Sequence, residues 1–306
     1  MKTFFLGMFV CLALAGVACQ TQAATTIGVL LPTKGLPCCD LAHASFKEEL
    51  ARQGFGPDQV DILLQQPAPT TMAWTNAARK FVTLDVKIIV THGAATTLAA
   101  LNETSSIPIV YVAVYDPTAL GITGNNITGT GAKVPVPGLI KNFKRIANFA
   151  RLGIIYSSEE KDTELQAAAV EALSSQLGFQ VVRHDIKDEG DNIKLPEAEA
   201  VFLTTASNVI KNIAGIIAQA QAQKVPTAAL LGHAAEQGVI LTLYANPEQE
   251  GREAAAMVAE ILRGKAPAAI PANNSPKIEM AINLKEAKDL GLNIPFDLLG
   301  TAKVIK

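Results

Sequence analysis

Polar and reactive side chains follow several short apolar runs of this sequence, where a buried strand would end and a helix would begin. The loops at these positions comprise residues 33–40, 91–93, 115–117, 156–157, 205–208 and 232–233. Their candidate ligand contacts are Cys38, Cys39, Thr91, His92, Gly93, Tyr115, Asp116, Tyr156, Thr205, Ser207, Asn208 and His233. Because ligands of doubly wound sheets bind beyond the carboxyl ends of the strands, we predict that these loops converge on one cleft. Alternatively, each loop only turns the chain and caps the next helix.

Metal binding and hydrolysis are two other chemistries that these residue types suggest. Cys38, Cys39, His92 and His233 are of the types that bind soft metals, but their spacing matches no established zinc pattern. The sequence also has no Gly-x-Ser-x-Gly elbow that would indicate a serine hydrolase. We therefore expect neither catalytic residues nor a metal or other cofactor.

The body of the sequence alternates between apolar runs of strand length and segments with helical spacing. The predicted strands cover residues 27–31, 60–64, 86–90, 107–114, 152–156, 180–182, 200–203 and 227–231. The predicted helices cover residues 41–53, 70–83, 94–102, 161–177 and 209–223. This alternation predicts an α/β fold with two doubly wound parallel-sheet lobes.

Capping residues occur where this alternation places the starts of helices. The spacing of Ser157 and Glu160 predicts a capping box, and Asn246, Pro247 and Gln249 predict a helix that ends near residue 263. Residues 159–164 carry several charges at the start of a helix, and we expect them to face water.

Residues 1–23 have the composition of an export signal. Lys2 precedes an apolar run over residues 4–18, and small and polar residues follow as far as Ala23. The run is shorter than the ~18 consecutive apolar residues of a membrane span. We predict that residues 1–23 are removed and that the protein is periplasmic. The alternative is a lipoprotein that is acylated at Cys19.

Composition excludes several classes of protein. The 306 residues are 49% hydrophobic and 5% aromatic, which suits two domains with aliphatic cores. A formal net charge of −2 gives no basic surface for nucleic acid. Outside the leader region only Cys38 and Cys39 remain, and a disulfide between adjacent cysteines would distort the backbone. We predict two thiols, with a vicinal disulfide as the alternative.

Several short motifs, in this order and spacing, resemble one protein family. They are Ile27-Gly28-Val29, Val114-Tyr115-Asp116-Pro117, Asn126-Ile127-Thr128-Gly129, Leu262-Arg263-Gly264-Lys265 with Ile270-Pro271, and Asn283-Leu284-Lys285-Glu286-Ala287-Lys288 with Leu290-Gly291 and Ile294-Pro295. Together they resemble the bacterial ABC-transporter substrate-binding family that includes tryptophan and aromatic amino acid binders. The likeness extends over residues 26–306.

This resemblance implies a type I periplasmic binding fold, in which two α/β lobes joined by three crossovers close over a small ligand. The first lobe would comprise residues 24–133 and 245–269, and the second residues 134–244 and 270–306. The hinges would lie near residues 128–137, 244–245 and 270–277. Such a protein catalyses no reaction, and its function requires only that the ligand binds the closed state more tightly than the open one.

The resemblance also implies roles for individual residues. Thr91 and the amides of Gly93 and Ala94 would hold an anionic group, because a helix amino terminus exposes free N–H donors. Asp116 would pair with a ligand ammonium, and Asn208 would reach across from the second lobe. Residues 36–40, 91–93 and 207–208 depart from the pattern of the tryptophan binders, which weakens the assignment of the ligand.

The predicted function is that of an extracytoplasmic solute-binding component of an ABC importer. The expected ligand is an amino acid or a similar carboxylate, with aromatic compounds as one subclass. The expected partner is the importer's permease in the inner membrane, and we expect a monomer that does not bind nucleic acid. A ligand-sensing module for a membrane receptor is the main alternative, because it would use the same two-lobed fold.

Overall fold

The computed structural model describes residues 24–186, 193–274 and 277–306. The predicted leader and Cys19 therefore lie outside the described residues. None of the helices in these three ranges has the length and apolar character needed to cross a membrane.

The first sheet is parallel throughout and has the strand order β11-β5-β4-β3-β1-β2. Its strands are β1 (Thr25–Leu30), β2 (Val60–Gln65), β3 (Ile88–His92), β4 (Ile109–Val114), β5 (Ile127–Gly131) and β11 (Asn273–Asn274). Its helices are α1 (Pro37–Arg52), α2 (Thr71–Thr83), α3 (Ala94–Glu103) and α10 (Pro247–Leu262). Apolar faces of α1 and α10 cover one side of the sheet, and those of α2 and α3 cover the other.

The second sheet has the strand order β13-β12-β10-β9-β8-β6-β7. Its strands are β6 (Arg151–Tyr156), β7 (Gln180–Asp185), β8 (Ala200–Leu203), β9 (Thr227–Ala229), β10 (Leu241–Ala245), β12 (Ile278–Asn283) and β13 (Lys303–Ile305). The helices of this lobe are α4 (Val136–Ala147), α5 (Lys161–Glu171), α6 (Ser174–Leu177), α7 (Ser207–Lys211), α8 (Ile213–Ala222), α9 (Ala234–Gln237), α11 (Leu284–Asp289) and α12 (Phe296–Leu299). A 3-10 turn, Pro267–Ala269, precedes β11. Only the β10–β12 pair is antiparallel among the described strands.

The two-lobed α/β prediction is confirmed. The chain passes between the sheets three times: between β5 and α4, between β10 and α10, and between β11 and β12. The predicted second lobe begins again at residue 270, whereas strand pairing places Asn273–Asn274 in the first sheet. The lobe boundaries themselves stay a prediction.

Local differences from the predicted elements have physical causes. The helix predicted over residues 209–223 begins at Ser207 and is interrupted at Asn212, whose side-chain amide donates to the Asn208 carbonyl. The helix predicted over residues 161–177 is likewise two helices, α5 and α6. The cap at Asn246 is confirmed, because its side chain accepts a hydrogen bond from the Gln249 amide at 2.9 Å.

The capping box predicted for Ser157 and Glu160 is wrong. Helix α5 begins at Lys161, and the Glu160 side chain makes no cap hydrogen bond. Thr163 takes over the contact with Ser157, accepting from its amide at 3.0 Å and donating to its carbonyl at 2.7 Å. The Glu160 carboxylate is thus free to bond another loop.

Helices α1 and α10 approach each other closely at Gly251. A Cβ atom at this position would lie 2.0 Å from the carbonyl oxygen of Ala42 in α1. No real side chain tolerates that separation, so a glycine is required where the two helix backbones meet. The contact fixes the start of α10 against α1, near the edge of the cleft.

Gly251→Ala should lower the free energy of unfolding by about 1 to 3 kcal/mol, as overpacking of a close contact usually does. Thermal and denaturant unfolding of the purified variant would measure the change. Gly138→Ala is the matched control in α4, because no atom lies within 4 Å of its added Cβ. There alanine should be neutral or stabilise by up to ~1 kcal/mol, which is its advantage over glycine in a helix. Equal effects at both sites would contradict the close-approach argument.

Candidate functional site

A cavity of about 120 Å³ lies between the two lobes, at the carboxyl ends of the strands. Eight of the predicted contacts line it: Cys38, Cys39, His92, Gly93, Ala94, Tyr115, Thr205 and Ser207. The loops of both lobes therefore converge, as the strand-end rule predicts. Whether these residues contact a ligand stays a prediction.

The structure does not place the other predicted contacts on the cavity wall, namely Thr91, Asp116, Tyr156, Asn208 and His233. Thr91 is fully buried, and its hydroxyl bonds that of Thr97 at 2.8 Å. Tyr156 packs against the second-lobe core. Asn208 is buried in the first turn of α7, and His233 directly precedes α9.

Asp116 occupies a turn instead of the cavity. Its Oδ1 accepts a hydrogen bond from the Ala119 amide at 3.1 Å, and its Oδ2 pairs with the Lys133 ammonium. The hydrogen bond from Lys133 lowers the pKa of this carboxyl. Both oxygens are engaged within the protein, so this geometry gives no support to Asp116 as the partner of a ligand ammonium.

Asp162 of α5 joins the two lobes across the cleft. One carboxylate oxygen accepts a hydrogen bond from the Ala94 amide at 2.8 Å, and the other accepts from the Tyr115 amide at 3.0 Å. Ala94 is the first residue of α3, where the free N–H groups and the helix dipole favour an anion. The protein's own carboxylate therefore holds the position that the sequence assigns to a ligand anion.

The second-lobe wall of the cavity is hydrogen-bonded within itself. Glu160 accepts from the amide and the hydroxyl of Ser207 at 2.7 and 2.9 Å. Gln166 donates to the Thr205 hydroxyl at 2.7 Å and accepts from its amide at 2.9 Å. These bonds tie the starts of α5 and α7 together.

Burial perturbs the acids of this wall. It raises the pKa of Glu160 to about 7 and that of Asp162 to about 6. The hydrogen bonds that these carboxyls accept lower their pKa values and offset part of this increase. The prediction that residues 159–164 face water is therefore wrong for both residues. Charge alone misled the prediction, because Glu160, Asp162 and Thr163 are all buried in this segment, whereas Glu159 and Lys161 face water.

The first-lobe wall carries polar groups without partners. His92 is 1% exposed, and neither ring nitrogen has a hydrogen-bond partner among the described residues. Glu250, in the first turn of α10, is 3% exposed, and its Oε1 likewise has no partner in the described part of the chain. Burial lowers the pKa of His92 to about 3 and raises that of Glu250 well above its usual range. No local pattern in the sequence indicates that Glu250 faces the cleft.

Cys38 and Cys39 lie beside these groups at the start of α1, and both are free thiols, as predicted. A hydrogen bond to Cys38 and burial raise the pKa of the Cys39 thiol. In the described ranges, no group of three or more His, Cys, Asp or Glu side chains is placed to hold a metal ion.

Two α/β lobes, three crossings and a cavity between the lobes at the strand ends define a type I periplasmic binding fold. Within that class, the chain belongs to the ABC transporter substrate-binding protein family, because the family described as "ABC transporter substrate binding protein" matches residues 27–306. The resemblance drawn from the sequence motifs is confirmed.

Similar proteins support the same placement. A tyrosine-binding protein of Clostridioides difficile is 22% identical over 84% of this chain and 78% of its own length. A Streptococcus pneumoniae ABC domain in complex with L-Trp has a TM-score of 0.85 at 20% identity, covering 93% of this chain and 100% of its own. A conserved domain protein of Vibrio cholerae has a TM-score of 0.86 at 22% identity, with 92% and 100% covered. At these identities the solved structures show the shared fold.

Stability should depend on pH through Glu160. Its pKa is about 7 when folded and about 4.5 when unfolded, so between these values the folded state binds the extra proton. Folding is therefore favoured as pH falls from 7 to 4.5 and disfavoured as pH rises. Relative to Glu160→Gln, the wild type should lose on the order of 2 kcal/mol of unfolding free energy across this rise. Denaturant titrations of both proteins at several pH values measure the difference, and a difference that does not change with pH would contradict the assignment to Glu160.

The thiols should be visible by alkylation. Iodoacetamide added to the unfolded, unreduced protein should place two labels on the peptide that contains Cys38 and Cys39, as mass spectrometry would show. Because both residues line the cavity, a bound solute should slow their labelling in the folded protein. A peptide that accepts label only after reduction would instead reveal a vicinal disulfide.

Proposed function

We propose that this protein is the extracytoplasmic solute-binding component of an ABC importer. It captures a small molecule between its lobes and presents the closed complex to the permease in the membrane. The observation that carries the proposal is the cavity between the lobes at converging strand ends, which the Asp162 carboxylate bridges by accepting hydrogen bonds from amides of the opposite lobe. Membership of the family supports the assignment.

The proposed ligand class is amino acids and related small compounds, with aromatic ones as a subclass. A relative named for tyrosine binding and a structural neighbour solved with L-Trp support this class. Apolar side chains such as Leu36, Val134 and Leu230 supply surface for a hydrophobic ligand body. We propose no catalysis, since binding needs only differential affinity for the closed state.

Closure is the step that such a component needs. Leu36 of the first lobe is 1% exposed and packs in a second-lobe core cluster, and Thr71 donates to Glu159 across the cleft at 3.0 Å. Together with the two hydrogen bonds to Asp162, these contacts hold the lobes together. A ligand that adds contacts to both walls shifts the equilibrium further toward the closed form.

We propose that the protein is exported and that it is a monomer. Residues 1–23 would direct the chain out of the cytoplasm, and cleavage there or acylation at Cys19 would leave a free or a lipid-tethered protein. Amino-terminal sequencing with intact mass measurement of the protein from its own host distinguishes these two forms.

Asp162→Asn should shift the empty protein toward an open form. An asparagine offers one acceptor oxygen where the carboxylate offers two, so one lobe-bridging bond is lost and the charge at the start of α3 disappears. Small-angle X-ray scattering should give a larger radius of gyration for this variant than for the wild type, while Glu164→Gln should match the wild type. Identical scattering from all three proteins would contradict the bridging role.

The function itself is tested with the wild-type protein. Native mass spectrometry of protein purified from its own host should detect a bound small molecule, and adding that molecule to stripped protein should raise the melting temperature and compact the scattering profile. A stripped protein that no solute of a broad metabolite panel stabilises or compacts would overturn the proposal. Release of a chemically altered ligand would show an enzyme instead.

A further inference from the structure

The two walls of the cavity differ in what they leave for a ligand to satisfy. On the second-lobe wall, Glu160 is bonded by Ser207 and Gln166 by Thr205. Asp162 reaches across to two backbone amides. The polar groups of this wall are already engaged in hydrogen bonds that a ligand would have to break.

The first-lobe wall is incomplete without a ligand. Glu250 and His92 are almost entirely buried and line the cavity, yet Glu250 Oε1 and both nitrogens of His92 lack partners among the described residues. Buried polar atoms in native proteins are nearly always hydrogen-bonded, and leaving one unpaired costs about 1 to 3 kcal/mol. A group that donates hydrogen bonds to the Glu250 carboxylate and to an acceptor nitrogen of His92 would remove this cost.

The acidic side chains of the cavity favour a positive charge on the ligand group that donates these hydrogen bonds. Glu160, Asp162 and Glu250 line it, and no Lys or Arg is found among its described lining residues. An anion placed here would face acidic side chains without a Lys or Arg to neutralise it. A cation would instead favour the ionised form of the Glu250 carboxyl and so gain a counter-ion. An ammonium has three N–H donors, which is enough for one bond to the carboxylate and one to the imidazole.

We propose that the cavity recognises its ligand through an amino group, which Glu250 pairs as counter-ion and His92 accepts as a second hydrogen-bond partner. The ligand is an ammonium on an apolar body, and a carboxylate is not required for binding. Asp162 already occupies the amino terminus of α3, where a ligand carboxylate would otherwise sit. This inference rests on the proposed function, since it takes the cavity as the solute site.

Matched sets of three compounds test the proposal by calorimetry. One set is phenethylamine, phenylalanine and 3-phenylpropionate, and a second is tyramine, tyrosine and 3-(4-hydroxyphenyl)propionate. The amine should bind at least as tightly as the amino acid in one of these sets, and the acid without an amine should bind at least 10-fold more weakly than either. An acid that binds as well as its amine, or an amino acid that binds while its amine does not, would overturn the proposal.

Glu250→Gln gives the residue-level test. Loss of a charged hydrogen-bond partner should weaken amine binding by about 10- to 150-fold, without lowering the melting temperature of the empty protein, because the lost carboxyl had an unpaired oxygen. Glu248→Gln is the matched control two residues earlier on α10, where the side chain is half exposed and 3.9 Å from Arg252. Unchanged amine affinity in Glu250→Gln would overturn the role of Glu250.

The inference and the proposed function fail separately. If no amine of the two sets binds, the amino-group assignment is overturned. The proposed function then still stands if a solute without an amino group compacts the protein in scattering, and it falls if no solute of the broad panel does.

Discussion

The closed arrangement of this protein depends on one carboxylate that crosses the cleft. Asp162 lies in the first turn of α5 in the second lobe, and its two oxygens accept hydrogen bonds from the backbone amides of Ala94 and Tyr115 in the first lobe. The acceptor lies at the amino terminus of α3, where unpaired amides and the helix dipole stabilise a negative charge without any cationic side chain. Burial opposes this arrangement by raising the pKa of Asp162, so the bond is strongest when the carboxyl is ionised and the amides are in place. The contact that holds the two lobes together is therefore an electrostatic one, between the Asp162 carboxylate and the amides of the first lobe.

That interaction determines what is left for a ligand. Since the protein supplies its own anion to α3, the unpartnered buried groups of the described residues that line the cavity are on the first-lobe wall, at Glu250 and His92. Close packing of α10 on α1 at Gly251 sets the position of the preceding residue, so Glu250 is fixed beside Cys38 and Cys39. The packed helix pair therefore keeps the Glu250 carboxyl buried, whereas a mobile loop at this position would expose it to water.

The cavity combines this acidic wall with aliphatic side chains, which suits a ligand that has one polar end and one apolar end. The proposed ligand class, amino acids and related small compounds, has that shape. Asp162 links closure to protonation, because its carboxylate accepts two bonds across the cleft while burial raises its pKa to about 6. Closure and the ionisation of Asp162 are consequently not independent.

The sequence by itself determined the architecture. Apolar runs alternating with helical spacing are local signals, and they predicted two parallel-sheet lobes, the Asn246 cap and the strand-end loops that meet at the cavity. The short connection at His92, Gly93 and Ala94 was predictable, because the end of one strand and the start of the next helix leave its backbone little conformational freedom. Only the tertiary structure decided which acids face the cleft. Asp116 turns to Lys133, whereas Asp162 contacts residues 68 and 47 positions away. Such contacts depend on how the lobes are juxtaposed, and no local pattern of residues encodes that juxtaposition.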